Sequence, residues 1–161
     1  MAGPPLSPSV QRVQDALAAS GVLTTITEYD VPARTSAEAA IVLGCAVGQI
    51  AKSLVFRAAS GTPVLVIASG ANRVDEAKVA ALAGEAIGKA DAAFVRAATG
   101  YAIGGIPPLG HEKPMRTFID RNLLQYATVY AAGGTPHAMF PIAPADLVRV
   151  AGGTVSAVAS A

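Results

Sequence analysis

Apolar residues are abundant in this chain but never run unbroken for long. They make up 52% of its 161 residues, yet Gly, Thr, Arg or Asp interrupts them every few positions. A membrane-spanning helix needs about 20 consecutive apolar residues, so we expect no membrane segment. Residues 1–8 contain neither the basic stretch nor the apolar stretch of a secretory signal. The sequence therefore predicts a globular, cytoplasmic protein with a buried core.

Length and charge limit the function classes. Globular domains most often contain about 100–150 residues, which favours a single domain over residues 1–161. The net charge is +1, from 12 basic and 11 acidic side chains, which argues against a protein that holds a long stretch of nucleic acid through many phosphates. This charge is compatible with a short contact to the end of a nucleic acid. The only cysteine, Cys45, excludes an intramolecular disulfide and a thiolate metal cluster.

Capping residues predict the helices. Ser7 and Pro8 are typical of a helix start, and Gly21 of its end. Thr35 and Glu38 form the pattern of a capping box, which predicts a second helix that ends at Gly44. The same signals predict helices at 75–83, 91–98 and 144–150, and short helical turns at 47–50 and near Leu123.

Short runs rich in β-branched residues predict the strands. Residues 53–57 and 64–69 are separated by a turn sequence, which favours an antiparallel hairpin. Because helices and strands are mixed without strict alternation, we expect an α+β fold: a mixed, mostly antiparallel sheet flanked by helices. The remaining predicted strands are 24–30, 116–119, 128–131 and 138–142.

Lys52 lies at the start of the predicted hairpin. Strand alternation places it on the same face as Leu54 and Phe56. If that face is buried, the ammonium needs an anionic or strongly accepting partner, because an unpaired buried charge is costly. A substrate carbonyl or phosphate would be such a partner. The alternative is a lysine at the end of an edge strand, with its charged end in water.

The segment 104–110 is too rich in glycine and proline to form regular structure. Paired glycines let backbone N–H groups approach a ligand, and Pro107-Pro108 stiffens the turn behind them. The alternative is an ordinary tight connection. Other polar residues have structural explanations: Thr35 and Asp120 as helix caps, His137 as a hydrogen-bonded strand residue and Cys45 as a small buried side chain.

The order of these segments resembles the YbaK/prolyl-tRNA editing family, whose members hydrolyse wrongly charged aminoacyl-tRNA. The most specific parts are the Lys52-Ser53-Leu54 triplet and the segment 100–110. The other matching positions are Thr35 with Glu38 and Gly44, Ile50-Ala51, Asp75 with the helix to Gly84, Thr99, and Ala132-Gly133-Gly134.

The resemblance implies the family fold, with no metal and no organic cofactor. It implies that Lys52 is the catalytic lysine and that Gly104 to Pro108 is the GxxxP substrate loop. The substrate-binding residues that it implies are Thr35, Ser53, Gly104, Gly105, Ile106, Pro108 and Gly134.

The function implied is that of a deacylase that acts in trans, since the chain carries no synthetase motifs. Its substrate would be the acceptor end of mischarged tRNA(Pro) carrying a small amino acid such as Cys or Ala, and prolyl-tRNA synthetase is the candidate partner. Two other interpretations stay open. One is a non-catalytic module that binds a nucleotide, an amino acid or a protein in the same pocket, and the other is a hydrolase of small activated esters.

Overall fold

An eight-stranded sheet organises the computed structural model, which describes residues 6–33 and 35–160. Residues 1–5, 34 and 161 lie outside the described residues, and so do both ends of the predicted 1–161 domain. The helices are α1 (Pro8–Ala19), α2 (Ser36–Leu43), α3 (Glu76–Ala83), α4 (Ala92–Thr99) and α5 (Pro144–Ala151), with 3₁₀ turns at Val47–Gln49 and Arg121–Gln125. The strands are β1 (Thr27–Glu28), β2 (Ile50–Ala58), β3 (Pro63–Ser69), β4 (Ile87–Lys89), β5 (Arg116–Asp120), β6 (Val129–Ala132), β7 (Ala138–Ile142) and β8 (Thr154–Ser156).

The sheet is mixed, as the sequence predicts. Its strand order is β1-β7-β6-β2-β3-β5-β8, and β4 pairs with β2 off this path. The pairs β1–β7, β2–β3, β2–β4 and β6–β7 are antiparallel, whereas β2–β6, β3–β5 and β5–β8 are parallel. The predicted α+β class and the β2–β3 hairpin are confirmed.

Strand β2 is central, but one of its edges is interrupted. On one side β3 pairs with residues 51–57. On the other side β6 pairs only with residues 50–51 and β4 only with residues 56–58. No strand of the described ranges pairs with residues 52–55 on that edge, and we call this stretch the β2 gap. Because β2 is an interior strand, the interpretation of Lys52 as an edge-strand lysine is wrong.

The two faces of the sheet bury different amounts of apolar surface. Ala51 and Val55 of β2 point into the main core, together with Leu65 and Ile67 of β3 and the buried side of α1. Phe56 packs on the opposite face against a smaller cluster from β3, α3 and β5. Alternation along β2 therefore places Lys52 and Leu54 on the face with the smaller cluster, where both are half-buried.

The start of α2 follows the predicted cap. The Thr35 hydroxyl accepts a hydrogen bond from the Glu38 backbone N–H at 3.1 Å. The Glu38 carboxylate accepts from the Thr35 hydroxyl at 3.2 Å, instead of from the backbone N–H of the predicted capping box. Gly44 ends the helix with a φ of 68°, in the left-handed region that favours glycine.

Three strands differ from the predictions. The predicted strand at 24–30 shortens to β1, because the Gln14 side chain bonds to the Thr24 carbonyl and the Ile26 N–H, which are then not free for a ladder. Strands β4 and β8, of three residues each, were not predicted. Three residues are too few to show a periodic apolar pattern.

The segment that follows α4 is tied to the rest of the fold by Tyr101. This side chain is only 1% exposed, and its hydroxyl donates to the Gly110 carbonyl at 3.1 Å. Arg12 of α1 donates to the same hydroxyl at 3.3 Å, and its guanidinium lies 4.7 Å from the ring centroid. Hydrogen bonding to Tyr101 raises the pKa of Arg12. Tyr101 therefore links the end of the glycine-proline segment, at Gly110, to Arg12 of α1.

His111 fixes the middle of the same segment. Its Nε2 donates to the Pro107 carbonyl, with 2.6 Å between the two atoms. Burial lowers the pKa of this imidazole, because the charged ring is less well solvated in the folded protein than in water. None of the helices in the described ranges is long and apolar enough to cross a membrane.

Replacing Thr35 by Ala is expected to lower the free energy of unfolding by about 1 kcal/mol, because the cap of α2 is lost. Thr35→Ser retains the hydroxyl and should restore most of that stability. Urea titrations of the wild type and both variants measure the difference. Equal losses in Thr35→Ala and Thr35→Ser would show that the methyl group, and not the cap, is what matters.

The low pKa of His111 predicts that stability falls as the pH falls. In the unfolded chain the imidazole takes up a proton near pH 6.5, but in the folded chain only at a lower pH. Acidification below about pH 6.5 therefore favours the unfolded state. His111→Gln should reduce the loss of unfolding free energy between pH 7.5 and pH 5.5, as measured by urea titration, and His137→Gln serves as the control. An unchanged pH dependence in His111→Gln would contradict this assignment.

Candidate active site

A cleft of about 480 Å³ opens between the start of α2, the first half of β2 and the glycine-proline segment. It lies beside the β2 gap. Five of the eight predicted catalytic and substrate-binding residues line it: Lys52, Ser53, Thr35, Gly104 and Ile106. The structure therefore brings together the lysine, the hydroxyl-bearing residues Thr35 and Ser53, and part of the predicted substrate loop.

Lys52 reaches the cleft as a half-buried side chain. Its Nζ donates to the Asn72 backbone carbonyl at 3.1 Å. This is its one hydrogen bond among the described residues, and an ammonium group has three N–H donors. Two donors are therefore left for a ligand in the cleft.

Asn72 is held in place by a buried carboxylate. Its side-chain nitrogen donates to Asp120 Oδ2 at 2.9 Å, and the Ser69 backbone N–H donates to the same oxygen at 3.0 Å. Asp120 also accepts from the Asn122 N–H at 3.0 Å, which confirms its predicted role as a cap. Sequence reasoning missed Asn72, because its link to Lys52 arises only where the turn after β3 meets β2.

Ser53 follows Lys52 and points to the opposite face of β2. Its hydroxyl is buried and has no hydrogen-bond partner in the described part of the chain. Buried hydroxyls are normally paired, so an unpaired one that lines a cleft requires an explanation. Both Lys52 and Ser53 reach the same cleft because no strand covers the β2 gap between them.

Two neighbouring glycines serve different purposes. Gly104 is exposed, lines the cleft and has a φ of 94°, which favours glycine. Gly105 is buried, and a Cβ built there would lie 2.5 Å from Thr135 Cα. Its N–H donates to the Ala102 carbonyl at 3.1 Å. Position 105 therefore requires glycine because the backbone of Thr135 passes too close for a side chain, and not because of a positive φ.

Two other predicted substrate residues lie away from the cleft. Pro108 is buried and lines a separate cavity, which His111 also lines. Gly134 has a φ of 111°, and a Cβ there would lie 2.8 Å from the Ser9 carbonyl oxygen of α1. Both positions are explained by packing of the loops against their neighbours. The structure does not bring them to Lys52.

The histidine and the cysteine considered in the sequence also have structural surroundings. His137 Nδ1 donates to the Tyr29 carbonyl at 3.0 Å, which supports the interpretation of a hydrogen-bonded structural residue. Cys45 is half-buried, and burial raises the pKa of its thiol. Neither residue lines the cleft.

This arrangement suits one kind of chemistry. One space is lined by an ammonium with one hydrogen bond, a buried hydroxyl with no partner among residues 6–33 and 35–160, and an exposed glycine. Together they can bind a carbonyl or phosphate oxygen and stabilise negative charge that develops on it.

Comparisons with known proteins identify several relatives of this chain. A solved structure described as a candidate trans-editing enzyme for prolyl-tRNA synthetase superposes with a TM-score of 0.92 at 42% identity, covering 98% of this chain and 100% of the other. YwhH of Bacillus subtilis is 29% identical over 122 residues, which cover 76% of this chain and 78% of YwhH. EbsC of Enterococcus faecalis, described as a candidate Cys-tRNA(Pro)/Cys-tRNA(Cys) deacylase, is 27% identical over 112 residues, 69% of this chain and 68% of EbsC.

The family match covers most of the chain. Residues 30–150 match the family described as the aminoacyl-tRNA editing domain. This range includes α2, the β2 gap, Lys52 and the whole glycine-proline segment. The resemblance inferred from the sequence is confirmed, and the chain belongs to the aminoacyl-tRNA editing domain family.

Proposed function

We propose that this protein hydrolyses the ester of mischarged aminoacyl-tRNA in trans, with tRNA(Pro) carrying a small amino acid such as Cys or Ala as its substrate. The observation that carries the proposal is the Lys52 ammonium. Within the described part of the chain its single hydrogen bond is to a neutral carbonyl, and the neighbouring Ser53 hydroxyl, which lines the same cleft, has no partner.

The reaction makes limited demands on the protein. An aminoacyl ester is already activated, so the site must hold it, stabilise the developing oxyanion and admit a nucleophile. In the net reaction water adds to the carbonyl carbon, the bond from that carbon to the ribose oxygen breaks, and the ribose oxygen takes up a proton. The products are a free amino acid and a tRNA with free ribose hydroxyls. Lys52 would stabilise the oxyanion or bind the terminal phosphate.

The volume of the cleft and the net charge of the protein support a tRNA substrate that is held only by its acceptor end. Clefts for small molecules typically measure about 300–1,000 Å³, and this one, at about 480 Å³, is suited to a terminal adenosine and its amino acid. A net charge of +1 provides little attraction for the rest of the tRNA. A synthetase partner that holds the tRNA would raise the effective concentration at this site.

The relatives support the choice of amino acid and of tRNA. EbsC is described as a candidate Cys-tRNA(Pro)/Cys-tRNA(Cys) deacylase. The solved structure at 42% identity is described as a candidate trans-editing enzyme for prolyl-tRNA synthetase. Deacylation assays with a panel of aminoacyl-tRNAs, beside the same amino acids as simple esters, test the proposal. Hydrolysis of the simple esters at the same rate would instead favour a general esterase.

One observation favours a second function. No carboxylate and no imidazole is present among the described residues that line the cleft, so the site holds no evident general base. A non-catalytic module that binds a nucleotide or an amino acid would need none. Such a module would bind aminoacyl-tRNA without releasing the amino acid.

Lys52→Ala is expected to abolish deacylation and leave the melting temperature nearly unchanged. The lysine makes one hydrogen bond and no ion pair in the described structure, so its removal leaves no charge unpaired. Single-turnover deacylation and thermal unfolding measure the two effects, with Lys113→Ala on the exposed surface as the matched control. Full activity in Lys52→Ala would exclude this lysine as the catalytic residue, and unfolding would make it a structural one.

The two loop glycines are expected to respond differently. Gly104→Val introduces a side chain at the cleft and at a positive φ, so activity should fall at least tenfold for a stability cost of about 1–2 kcal/mol. Gly105→Val places a Cβ against the Thr135 backbone, so its main effect should be a large drop in melting temperature. Thr35→Ala and His137→Ala should affect deacylation less than either glycine variant. Normal turnover in Gly104→Val would show that the segment is only a connection.

A further inference from the structure

We propose that His111 is a positioning residue for the deacylation reaction. Its hydrogen bond to the Pro107 carbonyl holds the segment 104–110 in the place from which this segment forms one wall of the cleft. The inference rests on the proposed function. His111 is not among the described residues that line the cleft, so it acts on the substrate only through the segment.

The bond between the imidazole and the carbonyl has only one possible direction. A carbonyl oxygen accepts hydrogen bonds and cannot donate them, so the ring must carry a proton on Nε2, which lies 2.6 Å from the Pro107 oxygen. When the ring is charged, the second proton is on Nδ1, and Nε2 is a donor in both forms. The bond therefore requires only an N–H group at the position of Nε2.

The segment 104–110 has few other hydrogen bonds to keep it in place. Residues 105–109 are all buried, yet the two prolines among them have no backbone N–H. The described residues give the segment three hydrogen bonds: Gly105 N–H to the Ala102 carbonyl, the Tyr101 hydroxyl to the Gly110 carbonyl, and His111 to the Pro107 carbonyl. The first two hold its ends, and the bond from His111 holds its middle.

Without His111 a buried carbonyl would lose its partner. Buried backbone groups are almost always hydrogen-bonded, and an unpaired one is destabilising. The segment would therefore shift until the Pro107 carbonyl reached water or another donor. Ile106 directly precedes Pro107, is 3% exposed and lines the cleft, so a shift at residue 107 moves the wall of the cleft.

A small shift of this wall is enough to slow the reaction. Stabilisation of the oxyanion depends on groups that are in place before the reaction begins, and Lys52 and Gly104 line the same cleft. A misplacement of about 1 Å, caused by a change far from the reacting atoms, can lower a rate about 100-fold. Binding is less sensitive, because Lys52 and α2 stay in place. The expected result is a slower chemical step with little change in binding.

A second cavity gives access to His111 for substitution. It measures about 500 Å³ and is lined by His111, Glu112 and Lys113 among others. In the described structure none of these three side chains lines the cleft. Variants at these positions therefore change the support of the segment without removing a group that touches the substrate.

Three variants of His111 that differ in their donor test the proposal. His111→Met has similar length and no donor, and the amide of His111→Asn is too short to reach Pro107. His111→Gln places an amide nitrogen close to the position of Nε2 and should restore the bond. Lys113→Met, at an exposed position that lines the same cavity, is the matched control.

The measurement is single-turnover deacylation over a range of enzyme concentrations, with the enzyme in excess. The substrate is Cys-tRNA(Pro) or Ala-tRNA(Pro), whichever the wild type hydrolyses faster. The saturating rate should fall at least tenfold in His111→Met and His111→Asn. It should stay within twofold of the wild type in His111→Gln and in Lys113→Met. If His111→Met does not fold, His111→Asn provides the comparison.

The concentration dependence separates positioning from stability. A partly unfolded variant needs more protein to reach half of the saturating rate, but its saturating rate is that of the wild type. A change of this kind alone in His111→Met and His111→Asn would overturn the proposal. So would a wild-type saturating rate in both, or a folded His111→Gln that is as slow as His111→Met.

Hydrogen exchange of the Gly105 amide tests the segment without any substrate. In His111→Met and His111→Asn this buried amide should exchange at least tenfold faster than in the wild type, whereas the amides of α1 should not change. Unchanged exchange at Gly105 would overturn the inference whatever the activity. A wild-type protein that deacylates no aminoacyl-tRNA would overturn the proposed function, and faster exchange at Gly105 would then still show that His111 holds the segment.

Discussion

The site depends on the interruption of strand pairing along β2. A central strand normally bonds to a neighbour on both edges, and buried backbone groups without a partner are destabilising. Here β6 and β4 pair with opposite ends of β2 and leave residues 52–55 uncovered between them. Residues 51 to 57 of β2 each pair with a residue of β3, and this continuous ladder holds the strand in place across the gap.

The gap also explains how neighbouring residues share one cleft. Lys52 and Ser53 point to opposite faces of the sheet, and in a fully paired strand they would be separated by backbone. With no strand beside them, the cleft reaches around the edge of β2 and both side chains border it. The chemistry of the site therefore follows from sheet topology together with residue type.

Local signals in the sequence were sufficient to predict much of the fold. The cap at Thr35, the glycine at Gly44 and the hairpin of β2 and β3 depend on neighbouring residues, and the structure has all three. Strand β4 and the β2 gap could not be predicted, because both depend on which distant segments pair with β2. The same limit applies to Asn72, whose carbonyl meets Lys52 across 20 positions of sequence.

The glycines show the limit of sequence reasoning most clearly. Gly104 and Gly105 are adjacent and identical in type, yet one has a positive φ at the cleft and the other packs against the Thr135 backbone. A single sequence gives the residue type and not the reason for it. That reason depends on where the 104–110 segment passes the loop after β6, which is a contact between distant parts of the chain.

The partner of Lys52 completes the electrostatic argument. Asp120 accepts hydrogen bonds from Ser69, Asn72 and Asn122, and no ion pair between it and Lys52 is present in the described structure. A direct ion pair would neutralise the ammonium and reduce its attraction for a substrate oxygen. Because Asn72 presents a neutral carbonyl instead, Lys52 is positioned while its charge stays available. The buried carboxylate therefore orients the lysine through Asn72 without pairing with it.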